Sequence, residues 1–218
     1  MYNTHRAFRF ALLTLSLALA GCAGTQPVAW SGLSSSAQLK PDAESQHMPY
    51  RYTPVVDWKK YSAAIIEPVV IYQGADNQFG DMAQEDRQAL ASYMQKRFSE
   101  RLASRFTPAT SASAHTLKIK LTLAGAETTT PVLGTFTKFD LAGGPYNIVQ
   151  SIRGKEGMLN GSVSYAVEIY DAASNQLLSA WVAKQYPNAM NVSASFGALS
   201  AAEVGIDKGA DQLVEMLN

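Results

Sequence analysis

The only cysteine of this 218-residue sequence, Cys22, could act as a nucleophile, remain a free thiol or serve as an attachment point. It follows a basic stretch with Arg6 and Arg9 and then eleven uncharged, mostly apolar residues, 10–20. This arrangement is typical of a secretory signal, and the apolar run is too short to span a bilayer, which needs about 20 residues. Because small residues precede the cysteine, an extended backbone could enter a peptidase cleft there. We therefore predict that the chain is exported.

The residues Leu19-Ala20-Gly21-Cys22 resemble the lipobox of bacterial lipoproteins. The resemblance implies a diacylglyceryl group on the Cys22 thiol, cleavage before Cys22 and an acyl chain on the new amino group, with palmitate incorporated. Several acyl chains on one residue give stable anchoring, whereas a single chain binds a membrane only marginally. Ala23 stands where Asp would mark retention in the inner membrane. The resemblance therefore implies the outer membrane, with the domain facing the periplasm and with no cofactor besides the covalent lipid.

The composition predicts one globular domain behind a tether. Residues 1–21 are expected to be the signal peptide, residues 22–49 an acylated, flexible tether, and residues 50–218 a single domain of ordinary hydrophobic content, 47% over the whole chain. Removal of the signal peptide leaves 16 basic against 18 acidic residues, which gives no basic face for nucleic acid. Three apolar residues of the tether could dock on the domain or merely interrupt a flexible stretch: Trp30, Leu33 and Leu39.

Catalytic motifs are absent from the sequence. It contains no GxGxxG after a strand, no phosphate-binding P-loop, no HExxH, no CxxC and no GxSxG. Of the three histidines, His5 leaves with the signal peptide and His47 lies in the tether, so only His115 remains in the domain. A general base needs a placed nucleophile and an orienting carboxylate. We expect a histidine at a strand end rather than a catalytic residue, and no enzyme. A hydrolase of envelope material that uses His115 is the alternative.

Acidic residues crowd the start of the first predicted helix: Asp76, Asp81, Glu85 and Asp86. Carboxylates near a helix N-terminus complement the helix dipole, and this is the interpretation that we favour. The same oxygen ligands could form a weak site for a divalent cation. We predict no metal site.

Arg97, Arg101 and Arg105 repeat every four residues and lie along one face of the same predicted helix. Such a row is typical of a solvated helix face. The alternative is a strip that docks an acidic partner or a phosphate-bearing lipid, and for this reason the three arginines are candidate partner-contact residues.

The stretch 129–160 is long for a connection inside a compact domain. It carries apolar side chains, among them the candidate contact residues Phe136, Phe139 and Tyr146. Either the stretch contains a short helix or strand that covers the core, or it forms an apolar contact surface for a partner, a neighbouring subunit or a lipid. A small apolar cavity beneath it would instead indicate a carrier.

The apolar periodicity predicts the elements that position these groups. Residues 61–74 read as a strand, in which Pro68 indicates either an edge strand or a break between two short strands. Residues 81–106 read as a helix, with a capping box at Asp81 and Gln84. Alternating residues predict a strand at 116–124 with one wet face, and a hairpin follows in which 162–170 and 177–186 pair around a turn that starts at Asp171.

A second helix is predicted to start at a capping box formed by Ser200 and Glu203. Gly205 and Gly209 lie on one side of it and would permit close approach to a sheet, at a cost in helix propensity. The element order predicts an α+β fold with a mainly antiparallel sheet and two helices on one face.

Four stretches together resemble a family of Gram-negative lipoproteins known as domain of unknown function 3313. They are "SGLSSSAQLKP" at 31–41, the segment 50–72, "TLKIKLTLAGAET" at 116–128 and the hairpin at 161–184. The resemblance covers most of the mature chain and implies no reaction. We therefore expect an accessory or binding module, held at the membrane by its lipid, with an envelope protein as a possible partner.

Overall fold

A computed structural model describes residues 25–129, 143–152, 161–188, 191 and 197–218. The strands form one eight-stranded sheet in the spatial order β1-β2-β8-β7-β6-β3-β5, and β4 also pairs with β6. Their bounds are β1 Lys40–Pro41, β2 Tyr50–Tyr52, β3 Ala63–Ile66, β4 Val70–Ile71, β5 Thr107–Pro108, β6 Thr116–Glu127, β7 Ser162–Asp171 and β8 Leu177–Gln185. The described helices are α1 Gln84–Leu102, α2 Gly143–Ile152 and α3 Ser200–Met216.

The sheet is mixed, so the prediction of a mainly antiparallel sheet needs correction. The pairs β1/β2, β2/β8, β8/β7 and β7/β6 are antiparallel, whereas β3 and β4 run parallel to β6, and β5 runs parallel to β3. The physical reason is the connection through α1. A helix between two strands returns the chain to the end from which it started, so the strands run in the same direction. Of the two alternatives at Pro68, the structure shows the break between two short strands, β3 and β4.

One face of the sheet carries α1 and α3, which the apolar stripes predicted. Leu90, Met94, Phe98 and Leu102 of α1 are buried against the central strands. The predicted capping boxes are wrong, because α1 begins after Ala83 and α3 after Leu199, and neither residue has a side chain that caps the helix.

Two glycines let α3 approach the sheet closely, as the sequence predicted. A Cβ atom at Gly209 would lie 1.9 Å from the hydroxyl of Tyr165, and one at Gly205 would lie 2.8 Å from Val163 Cγ1. These separations are far below an ordinary contact between side chains. Gly is therefore required at both positions for the observed packing.

The opposite face of the sheet is covered by the chain itself. Trp30, Leu33 and Leu39 pack there on a second apolar cluster that includes Tyr72 and Val182. Of the two alternatives for these tether residues, the structure shows docking. The wet face predicted for strand 116–124 is therefore wrong: Lys118 and Lys120 stay half-buried, and Thr122 is buried. Within the described residues, no helix is long and apolar enough to cross a membrane.

Candidate functional site

Residues 25–39, here called the N-terminal segment, lie across the sheet face that the helices leave open. The indole of Trp30 is fully buried, and its Nε1 donates a hydrogen bond to the carbonyl oxygen of Asp76 at 3.2 Å. The ring lies 6.2 Å from that of Tyr72, whose hydroxyl donates to the Asp76 carboxylate at 2.8 Å. The backbone N–H of Gly32 donates to the same hydroxyl at 3.3 Å. The segment is thus held by the buried indole of Trp30 and by hydrogen bonds to the carbonyl oxygen of Asp76 and to the hydroxyl of Tyr72.

A buried carboxylate holds the middle of the N-terminal segment. Glu168 on β7 is only 2% exposed, and its Oε1 accepts a 2.7 Å hydrogen bond from the backbone N–H of Ser35. Lys120 Nζ lies 3.8 Å from Glu168 Oε2, and the hydroxyl of Tyr170 donates to Oε1 at 3.2 Å. Burial, and then the neighbouring carboxylate, raise the pKa of Tyr170 to about 12. A buried charge needs partners of this kind, and here the segment supplies one of them.

A second buried charge lies at the start of the N-terminal segment. Lys184 on β8 is 2% exposed, its Nζ donates to the carbonyl oxygen of Thr25 at 2.9 Å, and it lies 3.7 Å from Glu127 Oε2. Gln78 Nε2 donates to the carbonyl oxygen of Gln26 at 2.7 Å. Thr25 is three residues from Cys22, a span of at most about 11 Å of extended chain. The domain is therefore fixed close to the residue that the sequence predicts to be acylated.

Several strand and helix ends meet at the end of the domain that holds Thr25, which we call the anchor-proximal end because it is nearest to Cys22, the residue predicted to be acylated. Here β6 ends, β7 begins and β8 ends, because these strands are antiparallel neighbours. The helix α3 begins here too, since the backbone N–H of Thr129 donates to the carbonyl oxygen of Ala198 at 3.1 Å. The helix α2 is joined to the same end through Ser151, whose hydroxyl donates to Asn188 Oδ1 at 2.6 Å.

The stretch 129–160 contains a helix over residues 143–152, the kind of element that the first interpretation predicted. That this helix covers the core stays a prediction. Tyr146 is half-buried, and its hydroxyl accepts a hydrogen bond from Gln150 Nε2 at 2.6 Å. Cys22, Phe136 and Phe139 lie outside the described residues, so their predicted roles stay predictions.

The three arginines make contacts within the domain. Arg97 pairs with Asp207 of α3 at 2.6 Å, and Arg101 pairs with Asp211 of the same helix at 2.7 Å. The guanidinium of Arg105 donates to backbone carbonyl oxygens of residues 58 and 61. The pKa of Arg97 is raised by its hydrogen bond to Asp207. An acidic partner would have to compete with these carboxylates, and partner contact through the row stays a prediction.

His115 lies at the start of β6 with a positive φ of 64°, and its Nδ1 is 2.8 Å from the carbonyl oxygen of Lys60. Among the described residues, no carboxylate or hydroxyl group hydrogen-bonds to this ring.

Glu85 and Asp86 lie in the first turn of α1, as the helix-dipole interpretation requires. Within the described ranges, no group of three His, Cys, Asp or Glu side chains is placed to hold a metal ion.

Two shallow clefts lie within the described part of the chain. One, of about 90 Å³, lies at the end of the domain opposite Thr25 and is lined by residues such as Trp58, Trp181 and Leu217. The other, of about 170 Å³, runs beside the C-terminal end of α1 and is lined by Ile66 and Phe106 among others. Sites for small molecules usually enclose about 300–1,000 Å³, so both clefts are smaller than such a site. The carrier alternative places its cavity beneath the stretch 129–160, most of which lies outside the described residues, and it stays a prediction.

Sequence reasoning missed the two buried charges that hold the N-terminal segment. Neither Glu168 nor Lys184 was singled out. The available signal was a single charge inside each of two otherwise uncharged strand runs, "SVSYAVEIY" and "LLSAWVAKQ". Such a charge is either solvated or paired, and only the fold shows which.

The fold is that of an α+β domain whose N-terminal segment closes the open face of a mixed sheet. The family model described as "Protein of unknown function (DUF3313)" matches residues 30–213. The chain belongs to this family. The match begins at Trp30, which is the buried anchor of the N-terminal segment. No curated protein matches the sequence.

Solved structures with a similar arrangement share little sequence with this chain. The PelC dodecamer from Paraburkholderia phytofirmans is 11% identical, with 75% of this chain and 94% of that chain covered and a TM-score of 0.38. The hypothetical protein CT253 from Chlamydia trachomatis is 11% identical, with coverages of 72% and 95% and a TM-score of 0.36. Protein XCC0632 from Xanthomonas campestris is 10% identical, with coverages of 74% and 87% and a TM-score of 0.35. At these TM-scores the similarities carry no argument about function.

Proposed function

We propose that this protein is a lipoprotein of the outer membrane, anchored through acylated Cys22, whose single domain acts as an accessory or binding module at the periplasmic face. It performs no catalysis of its own. An envelope protein is its expected partner.

The observation that carries this proposal is the position of Thr25. Its carbonyl oxygen accepts a hydrogen bond from the buried Lys184, and the chain from there to Trp30 runs directly onto the sheet. A domain held this close to an acyl anchor stays within reach of the membrane surface, whereas a long flexible tether would let it sample the periplasm. The geometry thus supports a module that works at the membrane.

Acylation is tested by Cys22→Ser in the full chain. The variant should lose incorporation of labelled palmitate and should leave the membrane fraction, because it lacks the thiol that receives the diacylglyceryl group. The matched control is Ser31→Ala, a change at an exposed residue of the same region, which should label like the wild type. A Cys22→Ser protein that still labels and sediments with membranes would disprove the anchor.

The outer-membrane location is tested separately. Ala23→Asp should keep the label but move the protein to inner-membrane fractions on a density gradient, because Asp after the acylated cysteine resembles the retention signal. Wild-type protein in inner-membrane fractions would contradict the location and leave the anchor intact. Crosslinking in intact membranes, followed by identification of the linked proteins, then tests the binding role.

A further inference from the structure

The helix α2 has one face towards the domain and one face outwards. Asn147 is fully buried, and Ser151, one turn later, contacts Asn188 beyond the end of β8. Val149 lies on the opposite side of the helix and is 44% exposed, and Tyr146 lies one turn before it. The sequence of the helix, "GGPYNIVQSI", contains no charged residue. The outward side of α2 therefore presents an uncharged surface with an aromatic and an aliphatic side chain.

The position of α2 is fixed relative to the start of the N-terminal segment. Ser151 contacts Asn188, and Asn188 follows Lys184 by four residues, at most about 14 Å of extended chain. Lys184 in turn holds Thr25, three residues from Cys22. The helix and the attachment residue therefore lie at the same end of the domain.

A second exposed apolar side chain lies near this end. Val28 is 38% exposed and lies between Gln26, which is held by Gln78, and the buried Trp30. By contrast, the fully exposed Val55 is next to residues that line the cleft at the opposite end. Because the lipid chains of an acylated Cys22 must enter the bilayer, the anchor-proximal end is the end that faces it.

We propose that α2 is a membrane-contacting element, and that its outward face, with Tyr146 and Val149, lies in the headgroup region of the bilayer that holds the acylated Cys22. This inference rests on the proposed lipid anchor. Tyrosine is enriched at the headgroup level of membranes because its ring is apolar and its hydroxyl is polar. Helices that lie in this plane bury their apolar face roughly 5–10 Å into the boundary between headgroups and acyl chains. The contact fixes the orientation of the domain, so that the cleft near Trp58 points away from the membrane.

The test uses two full-length variants, Val149→Cys and Val55→Cys, each labelled with a fluorophore that responds to polarity. Cys22 is blocked by its lipid, so only the introduced thiol reacts. Both positions are exposed, so the label leaves the core intact, and far-ultraviolet circular dichroism confirms this. The proteins are reconstituted into vesicles of phosphatidylethanolamine and phosphatidylglycerol that contain a spin-labelled phospholipid. Flotation of the vesicles reports the anchor, and quenching reports the position of each label.

We expect the spin-labelled lipid to quench the label at position 149 several-fold more than the label at position 55, and iodide in the buffer to do the reverse. Equal quenching at the two positions in floating vesicles would overturn the orientation and leave the anchor standing. Protection of position 149 from iodide without quenching by lipid would also overturn it, in favour of a protein contact. Protein that fails to float would remove the anchor and this inference together.

Discussion

Replacement of Trp30 by Ala should release the N-terminal segment from the domain. The indole is fully buried, and its Nε1 donates a hydrogen bond to Asp76. It belongs to a buried cluster in which the sheet contributes three alanines, Ala124, Ala166 and Ala180, and these short side chains cannot fill the space that the indole leaves. Truncation of a buried Trp costs about 3–5 kcal/mol, and a site that cannot collapse lies at the upper end of this range.

This cost should appear mainly as local detachment, because the indole belongs to an apolar cluster separate from the one beneath the helices. Hydrogen exchange of the backbone amides measures this local detachment directly. The backbone N–H of Leu33 donates to Trp30 and that of Leu39 to Ser35, and both should exchange about 10³–10⁴-fold faster in Trp30→Ala. The paired strands β6 and β7 should keep their protection.

Trp58→Ala is the matched control, because Trp58 is only half-buried and lines the cleft at the opposite end. It should leave the exchange of Leu33 and Leu39 unchanged. Unchanged exchange at these amides in Trp30→Ala would show that the indole does not hold the segment. Equal acceleration in β6 and β7 would show that the segment and the domain unfold as one unit. Either result would refute the reasoning about local detachment.

Two further predictions concern the stability of the domain. Gly209→Ala should lower the free energy of unfolding by about 1–2 kcal/mol, because overpacking against Tyr165 outweighs the gain in helix propensity. The double variant with Tyr165→Phe should recover part of the lost free energy of unfolding, measured by chemical denaturation. A Gly209→Ala protein more stable than the wild type would contradict the close approach. Hydrogen bonds from Ser174 lower the pKa of Asp171 below 3.8, so its contribution to stability is present above about pH 4 and is lost as pH falls through the folded pKa. Asp171→Asn should therefore flatten the acid limb of thermal unfolding against pH, and an unchanged limb would refute this assignment.

Local patterns in the sequence were sufficient to predict most of the elements. The alternation around Ile119 and Val167 predicted two strands, and both are buried on the predicted face. The apolar stripe that includes Phe98 predicted which face of α1 is buried. The spacing of Gly205 and Gly209 predicted the close approach of α3 to the sheet. These features depend on residues near one another along the chain, and the backbone period of each element makes them visible.

Features that depend on distant residues were not predicted. The parallel pairing of β3 with β6 follows from the path of α1 and is invisible in the alternation of either strand. The capping boxes predicted at Asp81 and Ser200 had the right spacing. The cap residues are instead Ala83 for α1 and Leu199 for α3, and neither has a side chain that caps the helix. A four-residue motif does not determine at which residue a helix that packs against the sheet begins.

The sequence by itself determined where the long strands β6, β7 and β8 and the helices α1 and α3 lie, and it predicted Cys22 as the attachment residue from its position after an apolar run. Only the tertiary structure decided that residues 25–39 close the open face, and which end of the domain holds Thr25, three residues from Cys22. The reason is the large sequence separation between the residues in contact. Ser35 meets Glu168 across 133 residues of sequence, and Thr25 meets Lys184 across 159. No local period encodes such pairs, and they form because a buried charge must find a partner.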